Sequence, residues 1–90
     1  MHDSLKIERE AHEEYYNKLM GIARKSEADG SPTQSIIDML HQEYLRAVNR
    51  TDAEFLDPES TAEQRATLKG YQTGALEAMT DFVDGVVTAT

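Results

Sequence analysis

Residues 61–86 read TAEQRATLKGYQTGALEAMTDFVDGV, and their periodicity decides the fold. Leu68, Tyr71, Ala75, Met79, Phe82 and Val86 recur at alternating spacings of three and four, and Leu76 and Val83 widen the stripe. That pattern is the seam of a helix suited to burial against two others. The same segment carries Ala62, Ala66, Gly70, Gly74 and Ala78 at every fourth position. Glycine weakens a helix interior by about 1 kcal/mol relative to alanine, so Gly70 could end a short helix, STAEQRATLK. The seam keeps one phase across Gly70, which predicts a continuous helix over 60–87. Ser60 opens it, with Glu63 completing a capping box.

Steps of four advance a helix by about 40° each, so the small-residue row drifts around the cylinder. Ala62, Ala66 and Gly70 fall toward the polar face, where Gly70 is the candidate for a kink. Gly74 and Ala78 reach the edge of the Tyr71/Phe82 side, and Gly85 joins them. These three form a low shoulder beside the seam where another helix could come close.

Upstream, SPTQ at 31–34 offers Ser31 as N-cap, Pro32 at the first helical position and Gln34 as a capping-box partner. Ile36, Ile37, Leu40, Tyr44, Ala47, Val48 and Phe55 form the apolar face. Thr51 keeps the stripe in phase, so the helix is expected over 32–56. Asp57-Pro58 stops it, because the residue before proline is pushed out of the helical region. Leu45 and Leu56 point away from this stripe, with Met39 also outward. The two leucines share one line, eleven residues apart, as an interface would require.

The first helix is expected over 4–28. Leu5, His12, Tyr15, Leu19, Ile22 and Ala23 fall on one broad face, flanked by Tyr16 and Met20. Glu10, Glu13, Asn17 and Arg24 lie opposite. Asp29-Gly30 ends the helix, since glycine readily takes the left-handed C′ conformation. No alternating run of β-branched residues marks a strand. The expectation is an all-α single domain over 1–90: an elongated three-helix bundle or an extended helical protomer, each helix about 35 Å long. A chain of this size buries only roughly 60–65% of its unfolded surface, so we expect oligomerisation to complete the core.

Composition narrows the function. Seventeen acidic residues against nine basic give a net charge of −8. That opposes direct binding of nucleic acid, which rests on lysine and arginine displacing counterions, and of anionic membranes. There is no cysteine, hence no disulfide, thiolate metal site or cysteine nucleophile. No run approaches the roughly 18–20 apolar residues of a membrane span. The opening MHDSLKIERE lacks the basic and apolar regions of a signal peptide. A soluble, cytoplasmic protein is the expectation.

Chemistry-bearing motifs are sparse. AHEEYYNKL (11–19) and LHQEYLRAV (40–48) share His-x-Glu-Tyr, 29 residues apart. Glu8 with His12, and Asp38 with His41, have the spacing by which helical bundles hold metals. Such sites need further inward carboxylates, which the third helix does not offer among its core positions. Residue 16 is tyrosine, so HEEYY is not the His-Glu-x-x-His of zinc proteases. No nucleophile elbow or phosphate loop occurs, and GYQTG lacks the lysine of a P-loop. We therefore expect no enzyme, no cofactor and no metal.

In general style the run EQRATLKGYQTGALEAM (63–79) resembles the small acidic helical proteins encoded by tailed bacteriophages. No residue-level motif carries over; the resemblance implies an accessory or structural role, in the cytoplasm or within a virion. The leading expectation is a non-enzymatic helical assembly protein whose partner is a second copy of itself. Tyr71, Gly74, Ala78, Phe82, Gly85, Leu45 and Leu56 are its candidate interface residues. One alternative is an acidic DNA-mimic inhibitor, drawing on acids clustered in 8–14, 52–63 and 77–84. The other is a metal-binding bundle built on the two histidines.

Overall fold

A computed structural model describes residues 4–89; Met1–Asp3 and Thr90, parts of the domain read from the sequence, lie outside the described residues. The chain forms three helices, α1 (Ser4–Ala28), α2 (Thr33–Leu56) and α3 (Ala62–Ala89). They run up, down and up in an elongated bundle of 46 × 22 × 19 Å. The strongest packing is between α1 and α3; α2 also lies along α3, while α1 and α2 touch little. The third helix is therefore the spine of the molecule.

The helix ends follow from local chemistry. Gly30 adopts φ 86°, and the chain closes as a Schellman motif: Gly30 N–H donates to Glu27 O (3.1 Å) and Ser31 N–H to Ser26 O (3.0 Å). The start of α2 differs from the expected capping box. Pro32 itself is the N-cap, at φ −59° and ψ 139°, with no side-chain cap. A capping-box partner must accept from the N-cap N–H, and proline has none. Gln34 instead donates to Asp38 Oδ1 at 2.9 Å.

At Asp57, extended at φ −85° and ψ 117°, α2 stops before Pro58. Asp57 then organises the turn, accepting Glu59 N–H on its carboxylate (2.9 Å) and Ser60 N–H on its carbonyl (3.1 Å). With Ser60 N–H committed there, the capping box of α3 forms one residue later than expected. Gln64 N–H donates to Thr61 Oγ1 (3.1 Å) and Thr61 N–H to Gln64 Oε1 (2.9 Å).

Eight buried residues form the central cluster: Leu19, Met20 and Ala23 from α1, Ile36 and Leu40 from α2, and Ala75, Ala78 and Phe82 from α3. Thr51 is buried too. Its hydroxyl reaches Ala47 O (2.7 Å) and Leu68 O on α3 (3.2 Å), which carries α2 intact across Asn49–Asp52. The burial corrects two expectations. Leu5 and Ile22 are exposed, whereas Ala11 is buried along with Leu19 and Met20, so α1 is rotated away from Leu5 and Ile22. Ala66 and Gly70 do not face solvent; both are buried, and α3 passes through Gly70 without a break. The reason lies in how α1 and α3 meet.

Candidate functional site

Small residues let two helix backbones approach where larger ones hold them apart, and α3 meets α1 along such a row. A Cβ built on Gly70 would lie 2.3 Å from Glu8 O and 2.7 Å from Ala11 Cβ; one on Gly74 would lie 2.6 Å from His12 O. Neither position has room for a side chain. Ala66, Gly70, Gly74 and Ala78 are thus one continuous packing row, and the drift around the helix axis carries it onto α1 rather than into solvent.

A polar clasp runs beside this row. His12 Nδ1 lies 2.8 Å from Thr73 Oγ1, and His12 Nε2 is hydrogen-bonded to Glu77 Oε2. Thr73 Oγ1 also donates to Gly70 O at 3.1 Å. Further along, the Tyr16 hydroxyl donates to Asp81 Oδ2 at 2.6 Å. With the Thr73 hydroxyl donating to Gly70 O, Thr73 Oγ1 is left to accept from His12 Nδ1–H. A threonine nucleophile would need the opposite direction, with the ring accepting its proton. Thr73 also lies inside a helix, where backbone N–H groups are committed to the turn below and cannot bind an oxyanion. The arrangement joins α1 to α3.

Both ring nitrogens of His12 are engaged in that clasp, His41 is exposed, and Asp38 already accepts from Gln34. Among the described residues no three His, Cys, Asp or Glu side chains converge on a point that could hold a metal ion. Acidic and basic residues are equal in number on α1, where Lys6, Arg9, Lys18, Arg24 and Lys25 balance Glu8, Glu10, Glu13, Glu14 and Glu27. A DNA-like track of carboxylates does not run along that helix. Among the described residues no helix is long and apolar enough to cross a membrane.

Four of the seven expected interface residues are packed against the chain itself. Gly74, Ala78 and Phe82 are buried. Tyr71 is half-buried, its ring tilted 40° against Tyr15 at a centroid distance of 5.0 Å. A second chain could not reach the buried three without parting α3 from its neighbours. The other three remain on the surface: Gly85, with nothing within 4 Å of a built Cβ, Leu45 at 39% exposure and Leu56 at 84%.

On the α2 side a side-chain bond joins α1 to α2. The Tyr15 hydroxyl donates to Glu43 Oε2 at 2.8 Å; burial first, then the bond to and charge of Glu43, push its pKa up to about 12. Tyr16 is pushed up as well, chiefly by its bond to Asp81. An open groove of about 660 Å³ lies between Arg50 and Glu54 on α2 and Gln64, Leu68 and Tyr71 on α3, with Thr61 just before that helix.

A further surface escaped the sequence reading because its residues had been assigned to the core. Phe55 is 55% exposed and Leu76 42%; Val48 and Val83 beside them are half-buried, as are Ile37 and Tyr44, which pack against the central cluster on their inner side. Ile37, Tyr44, Val48 and Phe55 fall within an arc of about 40° on α2, and Leu76 and Val83 within about 20° on α3. The signal for it was present: once the small residues face α1, the Leu76/Val83 edge of α3 must turn outward. Compared with protein-family models, curated proteins and solved structures, the chain matches none.

Proposed function

We propose that this chain is a non-enzymatic helical assembly protein that associates with copies of itself and acts as a structural or accessory component. The observation that carries this reading is the apolar surface left on α2 and α3. Phe55 and Leu76 are both more than a third exposed, and so, on another side of α2, are Leu45 and Leu56, in a chain whose fully buried large side chains are Leu19 and Leu40. Scattered exposed leucines are ordinary, but apolar residues grouped along two adjacent helices mark an interaction surface. A small core gains most from a partner that covers such a surface. Light scattering over a dilution series tests the reading. A mass that rises above 10.1 kDa with concentration supports it, and a strict monomer at every concentration overturns it.

A further inference from the structure

Because α1 and α2 touch little, a cleft of about 250 Å³ opens between them, with α3 behind it. Tyr15 and Lys18 line it from α1, Glu43, Arg46 and Arg50 from α2, and Tyr71 from α3. Arg46 and Arg50 are the arginines of α2, which has no lysine, and their spacing of four sets both on one side of the helix. In a chain of net charge −8, the cleft gathers three cations against one carboxylate.

That carboxylate is already committed. Glu43 accepts from the Tyr15 hydroxyl at 2.8 Å on one oxygen and from Arg46 at 3.2 Å on the other. Lys18 stands over the Tyr15 ring, 5.9 Å from its centroid, and makes no ion pair with Glu14 one turn earlier. Among the described residues Arg50 makes neither an ion pair nor a hydrogen bond. Arg50 and Arg46 both act on the Tyr15 hydroxyl, opposing the rise in pKa that burial and Glu43 impose, so their charge is felt inside the cleft. The wider groove beside it shares Arg50 and Tyr71 but adds Glu54 and Glu63, which makes the cleft, and not the groove, the place for an anion. Acids farther away count for less, because the Debye length is about 8 Å at physiological ionic strength.

We infer that this cleft binds a small phosphate monoester, with the phosphate between Lys18 and Arg50 and a flat organic group against Tyr15 and Tyr71. The guanidinium fork matches two phosphate oxygens, and the lysine adds a point charge from the opposite wall. The two tyrosine rings lie 5.0 Å apart at 40° and are half-buried, which leaves aromatic surface for a flat group to cover. The site is independent of self-assembly and stands whether or not the chain associates.

The test is a titration of the full chain with phenyl phosphate, followed by backbone amide chemical shifts. Saturable shifts in the millimolar range at Lys18, Arg50 and Tyr71 are expected, with inorganic phosphate and phenol each binding more weakly. Lys18→Gln and Arg50→Gln each weaken phenyl phosphate about tenfold, the loss of one charge-assisted contact. Lys25→Gln removes the same charge from the end of α1, outside the cleft, and leaves the affinity unchanged. All three side chains are exposed, so unchanged melting temperatures in the variants separate a lost site from a lost fold. An equal loss in all three variants reduces the effect to net charge and overturns the site. Phenyl phosphate that shifts no residue of the cleft overturns it too, as does phenol that binds as tightly. Inorganic phosphate bound as tightly as phenyl phosphate overturns the tyrosine contact.

Discussion

The two contacts that α3 makes are built on opposite plans. Against α1 it presents Ala66, Gly70, Gly74 and Ala78, and the backbones close to a distance that excludes a Cβ at both glycines. Against α2 it presents Leu68 and Ala75, with Thr51 bridging, and it leaves Leu76 and Val83 on an open edge. Close approach has no tolerance for added volume, because the neighbouring atoms are backbone carbonyl and amide groups that cannot swing aside. Side-chain packing tolerates change but leaves apolar surface uncovered. The first contact holds the fold together; the second leaves something for a partner to cover.

The sharpest way to break this contrast is to add volume to the seam. Gly70→Leu and Gly74→Leu must part α1 from α3, and we expect each to cost more than about 3 kcal/mol, read as a lower denaturant midpoint. Gly70→Ala tests the claim with a single carbon. It gains about 1 kcal/mol of helix propensity and still destabilises, because Glu8 O lies 2.3 Å from the added atom. Gly85→Ala, with nothing within 4 Å, stabilises by up to about 1 kcal/mol. If Gly70→Ala and Gly85→Ala move stability in the same direction, the seam is not closed as described.

A cavity in the shared core comes next. Leu40→Ala removes a fully buried side chain and costs about 2–5 kcal/mol, whereas Leu56→Ala, at 84% exposure, stays within about 0.5 kcal/mol of wild type. Smaller again is the clasp. His12→Ala leaves Thr73 and Glu77 without their shared partner and costs about 1 kcal/mol in thermal or chemical melts. Thr73→Val costs less, since His12 keeps Glu77.

A separate effect appears at alkaline pH. Tyr15 holds its proton to about 12 in the fold, against about 10 in an unfolded chain. The folded form therefore binds more protons in that window. The stabilisation is intact below about pH 10 and is lost as pH rises toward 12. Tyr16 acts in the same direction. Tyr15→Phe reduces the loss of stability between those values; a wild-type profile that is already flat there contradicts the burial of Tyr15 and its bond to Glu43.

Much of this architecture was legible in the residues. Gly30 and Pro58 punctuate the chain through backbone geometry alone, so the extents of α1, α2 and α3 could be placed to within two residues. Thr51 and the unbroken seam carried two helices across their weakest points. The capping details shifted because Pro32 lacks an N–H and because Asp57 takes the Ser60 N–H first; both are local, but they depend on which of two bonds wins. Rotation of the helices was harder to see. Hydropathy patterns rank large apolar residues as core, and glycine and alanine register as nearly neutral. Here the small residues set the α1/α3 contact, so Leu5, Ile22 and Leu76 face out and Gly70 faces in. The shoulder of Gly74, Ala78 and Gly85 reads in the sequence as a place where another helix could come close; at Gly74 that helix is the chain's own α1, and at Gly85 nothing lies within 4 Å of a built Cβ.

The central claim is that self-association uses the open α2/α3 edge and not the glycine shoulder. Sedimentation equilibrium of wild type, Leu76→Glu and Gly85→Gln over one concentration range decides it. The account predicts that wild type and Gly85→Gln rise from 10.1 kDa toward twice that mass, while Leu76→Glu stays at the monomer value. Dimerisation lost in Gly85→Gln and kept in Leu76→Glu would contradict it.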